Sequence, residues 1–248
     1  MAHMDNFLAG KRAIVTGGTR GIGRAITESL LTAGAAVTIC GRDGAALDAA
    51  LAELKAKPGG QIHGRVCNVA NAGEVSDFFT FADASLGGLD ILVNNAGVGT
   101  FKPTADLTIE DWHRVLDTNL SGVFYCCHAA LSRMRRQGSG YIINISSLAG
   151  KNPFAGAAAY NASKFGLNGF SEAMMLDHRQ EGVRVSYIMP GSVDTEFGQV
   201  KADSGLGKKA TSWKIDPADI AGTVMFLLRM PERTLISRVE VRPTKPGK

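Results

Sequence analysis

The sequence predicts a single α/β domain: a doubly wound parallel sheet of about seven strands with helices on both faces. Three observations carry this. Short apolar runs rich in Val and Ile alternate with longer segments of helical spacing, strand then helix, along most of the chain. Thirty glycines cluster at the ends of the apolar runs, where backbone must approach backbone or ligand closely. The 248 residues suffice for one large core and contain nothing that reads as a linker, a repeat or a low-complexity tract.

Residues 1–4, Met-Ala-His-Met, read as an expression remnant and are set aside from the domain, 5–248. Lys11 to Thr16 is the first strand. It runs into Gly17-Gly-Thr19-Arg20-Gly21-Ile22-Gly23 and then into Arg24 to Leu31, which has helical apolar spacing. Strand, glycine-rich turn, helix is the context in which a glycine pattern predicts a dinucleotide site. Glycine permits the tight turn, and backbone N–H groups at the positive helix N-terminus face a pyrophosphate. Ala35 to Cys40 is the second strand and ends in Gly41-Arg42-Asp43. Sites for NAD place a carboxylate here to receive the adenosine ribose hydroxyls. In this chain the position is Gly41, and the guanidinium of Arg42 follows, which suits the 2′-phosphate of NADP. Arg20 offers a second cation to the same phosphate. The alternative leaves Arg42 in solvent and gives the ribose to Asp43.

Ala45 to Lys57 is an amphipathic helix with Leu47, Leu51 and Leu54 on one side, stopped by Pro58-Gly-Gly60. Gln61 to Cys67 is the third strand. Asn68 and Val69 follow it, where a polar side chain meets the adenine amino group. Asn71-x-x-Glu74 has the form of a capping box and opens a helix through Phe78, Phe79 and Phe81. Gly88 to Val93 is a strand that leads into Asn94-Asn95-Ala96-Gly97. Asp106 to Arg136 reads as one long helical stretch begun at Thr108-x-x-Asp111. The polar patch Asp117-Thr-Asn119 inside it reads, by residue type, as surface or capping. Gly138-Ser-Gly140 ends the stretch, and Tyr141 to Ile145 and Gly182 to Met189 are further strands, the latter closed by Pro190-Gly191. Segment 196–214 lacks apolar periodicity, carries three glycines and four lysines, and is a candidate lid over the ligand crevice. A helix from Pro217 to Met230 and an alternating strand from Leu235 to Arg242 complete the chain.

Composition excludes several classes. A net charge of +4 without a Lys/Arg-rich run argues against nucleic acid. No apolar stretch of about 18 residues exists, so no membrane span is expected. The four cysteines, Cys40, Cys67, Cys126 and Cys127, form no C-x-x-C pair and read as small buried hydrophobes of a reduced compartment rather than metal ligands. With no visible signal peptide, the expected location is the cytoplasm.

Chemistry points to Tyr160-Asn-Ala-Ser-Lys164. Residues four apart share a helix face. A phenol has a pKa near ~10, and a neighbouring ammonium favours its ionised form. The pair is therefore a candidate proton donor or acceptor, with Ser146-Ser147 upstream as a source of hydroxyl hydrogen bonds. An apolar pocket around Val98, Phe101, Leu148, Phe154, Phe197 and Trp213 suggests a ketone with a hydrophobic arm.

Taken together, Thr16-Gly-x-x-x-Gly-x-Gly23, Asn94-Asn-Ala-Gly97, Asn119, Ser147, Tyr160 with Lys164, and Pro190-Gly191 stand in the order seen in short-chain dehydrogenases/reductases. The chain resembles that family from about Gly10 to Arg242, and 3-oxoacyl-[acyl-carrier-protein] reductases within it. The resemblance implies a Rossmann-type fold and a homodimer or homotetramer. It implies that Tyr160 protonates a carbonyl oxygen and that Ser147, rather than Ser146, orients it. Lys164 would bind the nicotinamide ribose and lower the Tyr160 pKa. Asn119 would hold a water of a proton relay. Asn95, with Ala96 and Gly97, would floor the cofactor site, and Val193 and Thr195 would meet the carboxamide. Two departures stand out: the ending Val241-Arg242-Pro243-Thr244-Lys245-Pro246 lacks the family's glycine-rich turn, and Asn68 replaces a frequent aspartate.

Three functions compete. The first is NADPH-dependent reduction of a ketone or aldehyde. The second, narrower, is 3-oxoacyl-carrier reduction, with Arg133, Arg135 and Arg136 as a docking face for an acidic acyl carrier protein, against a solvated helix end. The third, a non-catalytic NADP-binding sensor or scaffold, has no need of Ser147, Tyr160 and Lys164.

Overall fold

The computed structural model describes residues 6–57, 59–197 and 213–245. Seven strands form one sheet: β1 (Arg12–Thr16), β2 (Ala36–Gly41), β3 (Ile62–Val66), β4 (Ile91–Asn94), β5 (Gly140–Ile145), β6 (Val183–Pro190) and β7 (Arg238–Val241). Their order is β3-β2-β1-β4-β5-β6-β7, and every pairing is parallel. The order reverses between β1 and β4, so a crevice opens there at the strands' carboxyl ends.

Both faces of the sheet are covered, which is why its strands read as near-continuous apolar runs. Ala13 and Val15 of β1, with Val37 and Ile39 of β2, pack beneath α1 (Gly21–Thr32), α2 (Gly44–Lys55) and α7 (Pro217–Arg229). Ile14, Cys40, Leu92 and Ile142 face the opposite way, against α3 (Ala72–Leu86), α5 (Gly122–Gln137) and α6 (Ala158–His178). All four cysteines are free and buried. No helix among the described residues is long and apolar enough to cross a membrane.

The expected starts and stops are visible, with local differences. Asn71 caps α3 by accepting from the N–H groups of Gly73 and Glu74. Glu74 does not close a capping box, because its carboxylate accepts instead from Asn68 N at 2.8 Å. Thr108 caps α4 (Ile109–Leu116) through Asp111 N. The long stretch is not one regular helix: a single wide turn, Asp117–Ser121, separates α4 from α5. Gly122, which follows this turn, is packed tightly: a Cβ there would lie 2.7 Å from Val69 O. The wide turn carries Asn119 inward, where it is fully buried. The last strand spans only Arg238–Val241; Leu235 and Ile236, expected within it, lie before it and pack partly buried against the core.

Arg133 and Arg135 are committed within the molecule. The Arg133 guanidinium holds both Asp83 carboxylate oxygens at 2.7 and 2.6 Å and lies over the Phe79 ring, while Arg135 pairs with Glu181 at 2.6 Å. They sit at the end of α5 that feeds the amino end of β5, roughly 20 Å along the helix from the crevice edge. The docking face expected from the sequence is therefore at the far end of the sheet from the crevice.

Candidate active site

The crevice has a volume of about 1220 Å³ and runs from Arg42 to Tyr160 and Phe154. Its floor begins in the glycine turn. Gly17 and Gly21 have φ of 65° and 54°, a region that side chains enter at a cost. Gly23 lies under the turn rather than in the wall, and a Cβ there would be 2.2 Å from Gly17 O. Thr19, Arg20 and Ile22 line the wall above it. Arg20 at the start of α1 makes no side-chain cap, and no acidic residue occupies the first turn, so the helix N-terminus is left electropositive.

The turn is clamped from β4. Asn95 donates to Thr16 O at 3.1 Å and Gly17 O at 3.0 Å, and the N–H groups of Asn95 and Ala96 donate to the Thr16 hydroxyl at 3.0 and 3.1 Å. Thr16, named in the sequence only as the start of the glycine motif, is the hub of this clamp; its signal was a hydroxyl ending an otherwise apolar strand immediately before the glycines. Asn95, Ala96 and Gly97 line the crevice, as do Pro190, Gly191, Val193 and Thr195 on its other side.

At the adenosine end the two readings of Gly41-Arg42-Asp43 separate. The Asp43 carboxylate accepts from Ala46 N and caps α2. Arg42 lines the crevice and has no ion pair among the described residues. Arg20 lines the same crevice, and its exposed guanidinium pairs with Glu196 at 3.1 Å across the mouth. Asn68 differs from expectation as well. Its side-chain oxygen accepts from Ala70 N at 3.2 Å, folding it onto its own turn, and the wall there is built by Cys67 and Val69.

At the other end, α6 presents Tyr160 and Lys164 on one face, both buried. Ser147 follows β5; its hydroxyl caps the next turn through Ala149 N and hydrogen-bonds the Tyr160 phenol. Ser146 is committed elsewhere, donating to Asn168 Oδ1 at 2.6 Å. Geometry thus separates two serines that the sequence left adjacent. Lys164 Nζ donates to Ile145 O at 2.9 Å and stands 5.8 Å from the centre of the Tyr160 ring.

Electrostatics differ from the simple pair. Burial pushes the Tyr160 phenol above its usual value, opposed only by the Ser147 hydrogen bond. Burial also pulls the Lys164 ammonium down to about 8. Desolvation disfavours both charged forms, and it outweighs the expected lowering of the phenol by the ammonium. Asn119 touches neither group. Its amide donates to Val98 O at 2.9 Å and to the Ser163 hydroxyl at 3.0 Å, and its oxygen accepts from Val98 N at 2.8 Å. It ties the Gly97–Val98 loop to α6, directly beside the Tyr160–Lys164 face.

The base of the candidate lid is pinned by a bridge between Val193 and Ile215. Residues 198–212, which include most of the candidate lid, lie outside the described residues.

A doubly wound parallel sheet with an electropositive glycine turn at its switch point, and a buried phenol and ammonium at the same edge, defines a nucleotide-dependent oxidoreductase fold. The chain belongs to the short-chain dehydrogenase family, whose model matches residues 11–204. It is 35% identical over 232 residues, 93% of this chain and 94% of the relative, to a 3-oxoacyl-[acyl-carrier-protein] reductase of Synechocystis. Among solved structures it is similar to a metagenomic short-chain oxidoreductase in complex with NADP (38% identity, TM-score 0.83, covering 96% of this chain and 99% of that one). It is also similar to a single-site variant of actinorhodin polyketide ketoreductase with NADPH (30% identity, TM-score 0.84, covering 98% of each chain).

Proposed function

We propose that the protein reduces a ketone or aldehyde to an alcohol with NADPH, and that Tyr160 is the proton donor. One observation carries the reading: the Tyr160 phenol, held by Ser147 and flanked by buried Lys164, stands in the same crevice as the glycine turn.

The residues fit the cofactor. Gly17, Gly21 and Gly41 leave a cradle that Cβ atoms would fill: at Gly17 one would meet Ala96 and Asn95 at 3.0 Å, and at Gly41 one would meet Thr19 at 3.0 Å. Backbone N–H groups of Gly21 and Ile22 at the N-terminus of α1 face the pyrophosphate. Arg42 reads the 2′-phosphate, because Asp43 is spent on its cap. Lys164 holds the nicotinamide ribose. When bound, the nicotinamide supplies the hydride.

The chain supplies the rest. Ser147 donates to the carbonyl oxygen and fixes its direction. As a C–H bond forms at the carbonyl carbon and the C=O π bond breaks, the Tyr160 O–H bond breaks and its proton goes to that oxygen. The raised phenol is fully protonated at neutral pH, the form a proton donor needs. The phenolate left behind regains a proton from solvent along the Lys164 side. Asn119 is a positioning residue that fixes the loop opposite Tyr160. A non-catalytic scaffold does not explain why Ser147, Tyr160 and Lys164 converge.

The acyl-carrier reading keeps support from the Synechocystis relative. Arg133 and Arg135 lie at the far end of α5, paired with Asp83 and Glu181, so a docking face nearer the crevice mouth fits this reading better. The test is NADPH consumption over a panel of ketones and 3-oxoacyl thioesters with wild type and Tyr160→Phe. Turnover is expected in wild type alone, with NADPH affinity retained in the variant; equal turnover in both refutes the assignment.

A further inference from the structure

Three phenylalanines from three separate connections gather beside Tyr160, Phe101 and Phe197 against its ring and Phe154 against Phe101. Phe101 comes from the segment after β4, Phe154 from the segment before α6, and Phe197 from the segment after β6. The Phe101 ring stands edge-to-face with the Tyr160 ring at 5.7 Å and 65°, and Phe197 lies against the same phenol at 5.7 Å and 48°. Phe101 is stacked with Phe154 at 6.1 Å and 27° and meets Phe197 edge-on at 6.4 Å. All three are large apolar side chains left 43–50% exposed, and that exposure opens into the crevice for Phe154 and Phe197, which line it. A contiguous half-exposed apolar patch at the reacting end of a cleft marks what the cleft receives.

The arrangement is built rather than incidental. Gly99 makes room for it, since a Cβ there would lie 2.7 Å from the Phe101 ring and 3.3 Å from the Phe197 ring. Asn161, the residue after Tyr160, donates to Phe154 O at 2.9 Å and so ties the Phe154 segment to the helix that carries the phenol.

Resting on the reductase reading above, we infer that Phe101, Phe154 and Phe197 form an aromatic clamp that selects ketones bearing an aryl ring directly on the carbonyl carbon. A carbonyl oxygen placed on the Tyr160 and Ser147 hydroxyls sets its nearer substituent against the rings that flank Tyr160. Aromatic rings pair in stacked or edge-to-face geometry at ~4.5–7 Å, the spacing these rings already keep with one another. An aryl ketone is flat and conjugated, so its ring plane is fixed once the carbonyl is fixed. A flexible acyl chain must be ordered to fill the same space, at a cost in conformational entropy. Conjugation also makes an aryl ketone the less electrophilic partner, so a preference for it reports on the pocket and not on intrinsic reactivity.

The test compares kcat/KM for acetophenone, its saturated isostere cyclohexyl methyl ketone, 2-octanone and an acetoacetyl thioester, each with saturating NADPH. Wild type is expected to favour acetophenone over cyclohexyl methyl ketone by about tenfold. Phe101→Leu and Phe154→Leu keep apolar character, and with unchanged Tm they are expected to bring that ratio close to one, each ratio being taken within one variant. Because the ratio is compared between variants, intrinsic reactivity cancels. Gly99→Ala, which displaces the Phe101 ring without removing it, is expected to lower the ratio in the same direction. Equal wild-type rates with both cyclic ketones, a ratio unmoved by the substitutions, or a preference for the thioester overturns the aromatic clamp and leaves the reductase reading standing. Absence of turnover with all four substrates overturns both.

Discussion

At the scale of single residues, the chemistry turns on burial more than on charge pairing. Lys164 has a folded pKa of about 8, below the ordinary value of 10.5. Between those values the unfolded chain holds a proton that the folded one has released, so stability rises with pH through that window. Below about pH 8 the buried ammonium costs the fold its full desolvation penalty. Lys164→Met should therefore melt no lower than wild type at pH 7 while losing activity, and the gap in Tm should narrow from pH 8 to 10. The measurement is thermal unfolding across pH; a variant much less stable at pH 7 would contradict the account. In the same way, the reduction rate should hold through neutral pH and fall above about pH 8, as Lys164 loses its charge while Tyr160 keeps its proton. Arg42→Ala should weaken NADPH by about tenfold or more and leave NADH nearly untouched, as measured by fluorescence titration. Equal losses would show that Arg42 does not read the 2′-phosphate.

Elements carry the next set of consequences. The buried Asn119 side chain makes three hydrogen bonds between the Gly97–Val98 loop and α6, the one to Ser163 fully buried and the two to Val98 partly so. Its replacement by Ala leaves buried partners unsatisfied, at about 2 kcal/mol or more, which for a chain of this size is a fall in Tm of roughly 4–8 °C. Calorimetry measures it, and an unchanged Tm would show that the wide turn does not depend on Asn119. Glycines divide by what surrounds them. Gly23 is confined, and a Cβ there would run into Gly17 O, so its freedom from a side chain holds the cradle in shape. Gly222 in α7 meets nothing within 4 Å and is a merely helical glycine.

Over the whole molecule, site and stability are linked, because the crevice is walled by both halves of the sheet. A ligand at ~100 times its Kd stabilises the folded state by about 2.7 kcal/mol. Saturating NADPH should thus raise Tm by roughly 5–10 °C, and NADH at the same concentration by much less. Thermal shift assays with each cofactor check this. Charge reversal at Arg135 should lower Tm slightly through loss of its Glu181 partner, yet leave kinetics with a carrier-linked substrate unchanged, because α5 ends far from the crevice. A selective loss with the carrier-linked substrate would restore this end of α5 as a docking face.

Much of this was legible in the chain, because it depends on local chemistry. Alternating apolar runs gave the strands, glycine punctuation gave their ends, Asn71 and Thr108 gave helix starts, and Tyr160 with Lys164 share a face by helical period alone. Family order added Ser147 and Asn95. What the chain could not announce depends on partners distant in sequence. Asn119 looks like a surface residue until the wide turn Asp117–Ser121 places it in the interior, bonded to Val98 and Ser163. Asn68 looks like an adenine contact until its own turn and Glu74 claim it. Arg133, Arg135 and Arg136 read as a docking patch; the fold places them at the end of α5 away from the crevice, the first two in ion pairs with Asp83 and Glu181. Ser146 and Ser147 separate only once Asn168 holds one and Tyr160 the other. Composition and periodicity determined which elements form and which groups can do chemistry. Tertiary packing decided which of those groups are free to do it, because hydrogen-bond partners and the loss of water are set by neighbours in space.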